Sequence, residues 1–382
     1  MTEFRSAQLT RLTLTDFRNY VGLQIEVAAR MVAFVGPNGA GKTNILEAIS
    51  FLTAGRGLRR AALADIAKTD GSGGWSVAAK VQINEMETAI GTGLVSGTAG
   101  RKVRIDGEEV RGSESLLEYM RVLWLVPSMD GLFTGPGSDR RRFLDRLTLA
   151  IDPTHGRRVS DFENALRQRN RLLDQRGSDS FLNALEQQVA ELGTAVSIAR
   201  SETVGLLSQM ISESASKHTA FPHATLTLEG TFEAETIGLS ASDREDQYRR
   251  MLEVGRPRDR AAGRTLSGPH LSDLKVRHAA TDMPASQSST GEQKALLIGL
   301  VLAHAELTAK VTGITPVLLL DEVAAHLDPD RRAALFSRLN SLGGQVFMTG
   351  TDEALFEALP ESSEVFEIKD RESRLIRQPL RS

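Results

Sequence analysis

Gly36-Pro37-Asn38-Gly39-Ala40-Gly41-Lys42-Thr43 is a complete G-x-x-x-x-G-K-[ST] phosphate-binding loop. It lies between the apolar run Met31 to Val35 and the helix-like Asn44 to Ile49, so strand, glycine-rich turn and helix start follow in the order the chemistry needs. Glycines let successive backbone N–H groups turn inward around a polyphosphate, and the helix N-terminus adds its positive dipole end. Lys42 is expected to reach the β- and γ-phosphates of a nucleoside triphosphate, and the Thr43 hydroxyl to hold Mg²⁺. The competing explanation is a glycine-rich turn carrying a surface lysine.

Far downstream, Pro316 to Leu320 is a short apolar run ending in Asp321 and Glu322, the pattern of a buried parallel strand that opens on a ligand crevice. Asp321 is the expected partner of the metal. Glu322 points differently and is placed to polarise an attacking water as general base. Between loop and acidic strand, Ser288-Ser289-Thr290-Gly291-Glu292-Gln293-Lys294 leads into an apolar helix, which makes a second anion site. A nucleotide has one γ-phosphate, so the spare site is most simply used in trans; a plain serine N-cap is the alternative. The segment resembles the signature motif of ABC-type ATPases, with Ser289 and Gly291 in the matching places. Similarly, His326-Leu327-Asp328 resembles their D-loop. The resemblance implies two chains sandwiching two ATP molecules.

These motifs need a parallel core, and the chain supplies more than that. With 382 residues there is material for two to three domains. Strand-like alternation at Arg11 to Thr15, Leu23 to Val27, Ser76 to Ile83, Met86 to Gly91 and Lys102 to Ile105 indicates an antiparallel lobe beside the core. From about Ser138 to Met210 the pattern is helical, and a mixed region follows over Thr225 to Arg258. Roughly 250 residues separate Lys42 from Ser289. Transporter ATPases carry a far shorter insert, chromosome-structure ATPases a far longer coiled coil, and no sustained heptad seam appears here. The expected fold is α/β: an ABC-type P-loop ATPase head with an antiparallel β lobe and an inserted helical arm. Its head would comprise residues 1–125 and 263–382, its arm 126–262.

Net charge is −3, so no global basic field announces nucleic acid. Cysteine is absent, which excludes disulfides and thiolate metal sites and fits a reducing cytosol. The N-terminus has no signal-peptide pattern, and no uncharged apolar run reaches the length of a membrane span. A soluble, cytoplasmic protein without a membrane partner is expected. Arg140, Arg141 and Arg142 stand at a helix start that disfavours cations, so they need a partner, either phosphate or internal carboxylates. Arg157, Arg158, Arg167, Arg169 and Arg171 read equally as a solvated face. For His270, beside Pro269, a buried imidazole satisfied by backbone is expected.

Five stretches together resemble the bacterial RecF family of DNA replication and repair proteins: Asp16 to Tyr20, the loop at 36–43, Pro127 to Asp145, Gly268-Pro269-His270 and the C-terminal ATPase motifs. The run Gly135 to Asp145 is the most specific, because general ABC-type ATPases lack it. What the resemblance implies is a protein of recombinational repair, replication restart and the SOS response to DNA damage. It would dimerise on ATP and bind duplex or gapped DNA irrespective of sequence. With RecO and RecR it would help load the recombinase RecA, hydrolysing ATP slowly under DNA stimulation. Two departures stand out: Ser128 and Met129 occupy positions often acidic in the family, and Thr349-Gly350-Thr351-Asp352 lacks the switch histidine of transporter ATPases. An ABC-type subunit of another assembly, or an ATP-gated scaffold with little turnover, is the alternative.

Overall fold

In β1 (Arg5–Phe17) the buried residues run Ala7, Leu9, then Leu12 and Leu14, so the alternation changes phase midway. A register shift between Leu9 and Arg11 against β4 accounts for it: one extra residue returns the apolar side chains to the core face. The computed structural model that shows this describes residues 4–214 and 220–378. β2 (Tyr20–Glu26) pairs antiparallel with β1, and β3 (Met31–Val35) is buried throughout, as a central parallel strand must be. After the loop comes α1 (Lys42–Ser50). Then β4 (Trp75–Ile83), β5 (Met86–Leu94), β6 (Lys102–Ile105) and β7 (Glu108–Val110) form the antiparallel lobe, and β8 (Val122–Leu125) returns to the core.

The chain folds as two units, one from residues up to Asp130 together with those from Leu297 onward, the other chiefly from Gly131 to Leu296. The second unit contains α2 (Gly137–Ile151), α3 (His155–Asp174), α4 (Asp179–Ser214), β9 (Ala224–Glu229), α5 (Thr231–Glu235), α6 (Ala241–Ala262), β10 (Asp273–His278) and β11 (Met283–Pro284). Phe162, Leu166, Val189, Val196, Tyr248 and Leu252 form its core. This unit takes in the chain as far as Leu296. The cause is long-range pairing: β10 lies antiparallel to β9, with Asp273 opposite Glu229 and His278 opposite Ala224, which draws the following segment into this unit.

Arg169 shows why the arginine-rich face of α3 is not uniform. Its side chain is fully buried, paired with Glu186 at 2.9 Å and Asp259 at 2.7 Å, and it also donates to Thr265 Oγ1 and the Leu252 carbonyl. A buried guanidinium is tolerable only when its donors are matched in this way. It ties α3 to α4 and α6.

α7 (Thr290–Thr312) follows, then β12 (Ile314–Thr315), β13 (Val317–Leu320), α8 (Pro329–Leu342), β14 (Val346–Gly350), β15 (Glu364–Lys369) and β16 (Glu372–Arg377). By length and composition α7 could cross a bilayer, but 72% of its most apolar window is buried, as in a core helix. The core sheet of the first unit has the order β16-β15-β3-β14-β13-β8, parallel from β15 to β8. β3 and β13 are thus separated by β14 alone, and the phosphate loop and the acidic pair leave the same edge of the sheet.

Candidate functional site

The loop between β3 and α1 cannot carry side chains at two of its glycines. At Gly36, φ is +146° and a Cβ would lie 2.3 Å from the Ile368 carbonyl oxygen. At Gly41, φ is +112° and a Cβ would lie 2.4 Å from the Tyr20 hydroxyl. Pro37, Asn38 and Gly39 form the exposed tip, with Ala40 half-buried behind them. α1 begins without a side-chain cap and with no acidic residue in its first turn. Its N-terminal dipole end is left for an external anion.

Lys42 is buried, and its Nζ donates to the carbonyls of Gly36 at 2.7 Å and Pro37 at 2.9 Å. Desolvation pushes its pKa down, partly offset by the charges of Glu322 and Asp321. The Thr43 hydroxyl donates to Asp321, at 2.9 Å to Oδ1 and 3.1 Å to Oδ2. Two hard oxygen ligands from distant parts of the chain thus meet beside the loop, a donor set suited to Mg²⁺. Glu322 follows directly with φ +55°, a left-handed conformation that costs a non-glycine residue about 1–3 kcal/mol and clusters at functional sites.

Several residues that brace this arrangement were not apparent from sequence. Thr349, at the end of β14, donates from Oγ1 to Asp321 Oδ1 at 2.7 Å and accepts the Glu322 backbone N–H at 2.9 Å. Glu47, fully buried in α1, receives Arg18 through two hydrogen bonds of 2.8 and 2.6 Å and Arg59 at 2.7 Å. Asn44 donates to Asn19 Oδ1 at 2.7 Å and accepts from Arg59 at 2.7 Å. The Asp16 to Tyr20 turn therefore underpins the first helix of the phosphate loop. In the sequence this turn stood out as one of the stretches that carry the family resemblance, but its contacts to Glu47 and Asn44 were not apparent.

Ser289 and Gly291 belong to the second unit, at the start of α7. Ser289 forms a reciprocal capping box with Glu292: its N–H and Oγ each lie 2.9 Å from Glu292 Oε2, and the Glu292 N–H donates back to Ser289 Oγ at 3.3 Å. Ser289 and Gly291 are exposed. Asp328 caps α8, accepting the Arg331 N–H at 2.8 Å.

The arginine trio divides. Arg140 makes a two-pronged contact with Asp273, at 2.7 and 2.9 Å, and reaches the carbonyls of Leu132, Phe133 and Gly135. Hydrogen bonding to Asp273 raises its pKa further. Arg141 donates to the Ser272 carbonyl at 2.8 Å, and Arg142 pairs with Asp139 on the exposed face. Arg140 thus has an internal carboxylate partner, and among the three Arg142 is the most open to solvent. Nearby, Asp145 accepts two hydrogen bonds from Arg200, at 2.8 and 2.9 Å, and lies 2.8 Å from His155 Nε2. Arg200 also donates to the Pro269 carbonyl at 2.7 Å, joining the Gly135 to Asp145 run to the Gly268-Pro269-His270 turn. The His270 Nε2 lies 3.0 Å from the Thr265 carbonyl oxygen, and burial lowers its pKa.

Comparison with known proteins gives a consistent answer. The RecF/RecN/SMC N terminal domain model matches residues 8–374. The chain is 56% identical over 354 residues to the DNA replication and repair protein RecF of Mesorhizobium japonicum, covering 92% of this chain and 93% of the relative. It is 54% identical over 364 residues to the RecF protein of Agrobacterium fabrum, covering 94% and 96%. Among solved structures, that of the recombination mediator protein RecF-ATPrS in the RecFOR pathway superimposes with TM-score 0.86 at 22% identity, over 98% of this chain and 100% of that one. The Smc head domain of Pyrococcus furiosus matches with TM-score 0.53 at 17% identity, over 97% and 96%. At these identities the solved structures speak to the fold.

Proposed function

This chain belongs to the RecF family of DNA replication and repair proteins, and from that premise we propose that it is an ATP-dependent DNA-binding protein of recombinational repair, acting in the RecFOR pathway. The observation that carries the proposal is the meeting of Lys42, Thr43, Asp321 and Glu322 at the edge of the sheet where the glycine loop leaves an uncapped helix start. Residues 36–43 cradle the triphosphate of ATP with backbone N–H groups, and Lys42 turns from its two carbonyls to the β- and γ-phosphates. Thr43 and Asp321 would hold Mg²⁺, which supplies neutralisation of phosphate charge when bound. Glu322 accepts a proton from the water that attacks the γ-phosphate, giving ADP and phosphate.

Ser289, Gly291 and Asp328 would then face the nucleotide of a second copy, so that ATP holds a homodimer together. Ser289 and Gly291 are exposed at the N-terminus of a long helix, which supports their availability to an anion. DNA, duplex or gapped, is bound through its phosphates, with Arg142 and Arg141 the candidates in the arginine trio and Arg140 holding the segment in place. RecO and RecR are the proposed protein partners, and RecA the recombinase that benefits indirectly.

Glu322→Gln tests this against an ATP-gated scaffold without turnover. Sized with ATP, with and without duplex DNA, the variant should accumulate as a long-lived dimer while the parent returns to monomer as ATP is consumed. Equal behaviour of the two proteins would favour the scaffold. A protein that stays monomeric with magnesium and a non-hydrolysable ATP analogue would refute the dimer.

A further inference from the structure

We propose that Thr349 is a positioning residue for the acidic pair, a role that rests on the ATP site proposed above and deepens it. Thr349 is 1% exposed, at the end of a buried strand, and its hydroxyl has two engagements. It donates to Asp321 Oδ1 at 2.7 Å, so the hydrogen bond at 2.9 Å from the Glu322 N–H must enter its lone pair. One side chain therefore holds two adjacent residues through different groups, the carboxylate of Asp321 and the backbone of Glu322.

The consequence for Asp321 is orientation. Oδ1 receives hydroxyls from both Thr43, at the start of α1, and Thr349, at the end of β14, which restrains rotation about the terminal torsion of the carboxylate. For Glu322 the consequence is conformational. A non-glycine residue at φ +55° persists only when its surroundings over-determine it, and the Thr349 Oγ1 acceptor supplies one such constraint. The direction in which the Glu322 side chain leaves the sheet edge follows from that backbone geometry. The segment Thr349 to Asp352 lacks the switch histidine of transporter ATPases, and at its start a threonine engages both acidic residues. The sheet order makes this possible, because β14 lies between β3 and β13 and its end reaches Asp321 directly.

Thr349→Val removes the hydroxyl while keeping the branched shape; Thr349→Ser retains it. Nucleotide affinity is measured by titration calorimetry in EDTA and in magnesium, and hydrolysis under saturating ATP. Thr349→Val should bind ATP in EDTA within about twofold of the parent, because the loop is untouched, and lose most of the gain that magnesium brings. Its kcat should fall roughly ten- to a hundredfold, the effect of losing a hydrogen bond to a charged group. Thr349→Ser should restore both. Parental kcat and magnesium dependence in Thr349→Val would overturn the proposal, as would equal loss in the serine variant. Should Thr349→Val fail to fold, Thr349→Ala is subjected to the same comparison with the same outcomes. Absence of ATP binding by the parent chain itself would instead overturn the ATP site.

Discussion

Replacing Asp145 with asparagine keeps the shape of the side chain and removes its charge, which makes it a direct probe of the second unit. Arg200, 4% exposed at its side chain, meets the carboxylate with Nε and Nη2 at 2.8 and 2.9 Å, and the buried His155 meets it at 2.8 Å. Burial by itself would raise the acid's pKa; the Arg200 charge and the hydrogen bonds from His155 and Arg200 outweigh it and hold the group at about 2, against an ordinary 3.8. A displacement of that size is worth roughly 2 kcal/mol of stability. Removing one partner of a buried pair costs more, about 3–5 kcal/mol, since the other charge is left uncompensated. Asparagine still accepts one hydrogen bond, so the expected loss is about 3 kcal/mol.

Urea unfolding is the assay, with two probes. Trp75 and Trp124 both lie in the first unit, so tryptophan fluorescence follows that unit, whereas far-ultraviolet circular dichroism is dominated by the helices of the second. The loss should appear in the dichroism transition. It should also depend on pH in one direction. The folded pKa lies below the unfolded one, so the stabilisation is complete above the ordinary value and disappears as pH falls from about 4 towards about 2. Parent and variant should converge in acid. A difference under about 0.5 kcal/mol at neutral pH, or one that widens in acid, would refute the assignment.

Gly41→Ala forces a Cβ against Tyr20 in a left-handed backbone, so nucleotide binding should be lost along with about 1–3 kcal/mol of stability. Retention of the parental thermal shift with magnesium and ATP would show that the loop is no cradle. Arg140→Ala should destabilise the protein by about 2–4 kcal/mol, because Asp273 loses its main partner, whereas Arg142→Ala should stay within about 0.5 kcal/mol. Chemical denaturation of the two variants checks this, and the opposite ranking counts against the internal role of Arg140. DNA affinity should decline with salt with a slope of about −0.9 per phosphate contacted on logarithmic axes, measured by fluorescence anisotropy at several salt concentrations. A flat response excludes a phosphate-binding surface.

The phosphate loop was legible because everything it needs is contiguous. Strand, glycines, lysine and helix start lie within one short stretch, and β3 and α1 fall on either side of it as expected. The antiparallel lobe was legible for a related reason, since alternation is a local signal; β4, β5 and β6 match closely at their starts. β1 was recognised over only part of its length because the irregularity between Leu9 and Arg11 breaks the period of two. The pairing of β10 with β9 in the second unit was invisible, since it leaves no mark in either segment. Arg167, Arg169 and Arg171 look alike in sequence, yet Arg169 is fully buried because Glu186 and Asp259 meet it from other helices.

By itself, then, the order of residues determined the chemical inventory: a glycine loop with Lys42 and Thr43, an acidic pair at Asp321 and Glu322, and a serine-glycine helix start at Ser289 and Gly291. Only the tertiary structure decided how these are held. Setting β14 between the loop strand and the acidic strand puts the Thr349 hydroxyl on Asp321 and Glu322, and the turn at Arg18 and Asn19 becomes a brace for α1 through Glu47 and Asn44. The physical reason is range. A motif declares itself through backbone conformation over neighbouring residues, whereas a buried hydrogen-bond network is specified by which distant donors the packed sheet brings to the same few ångströms.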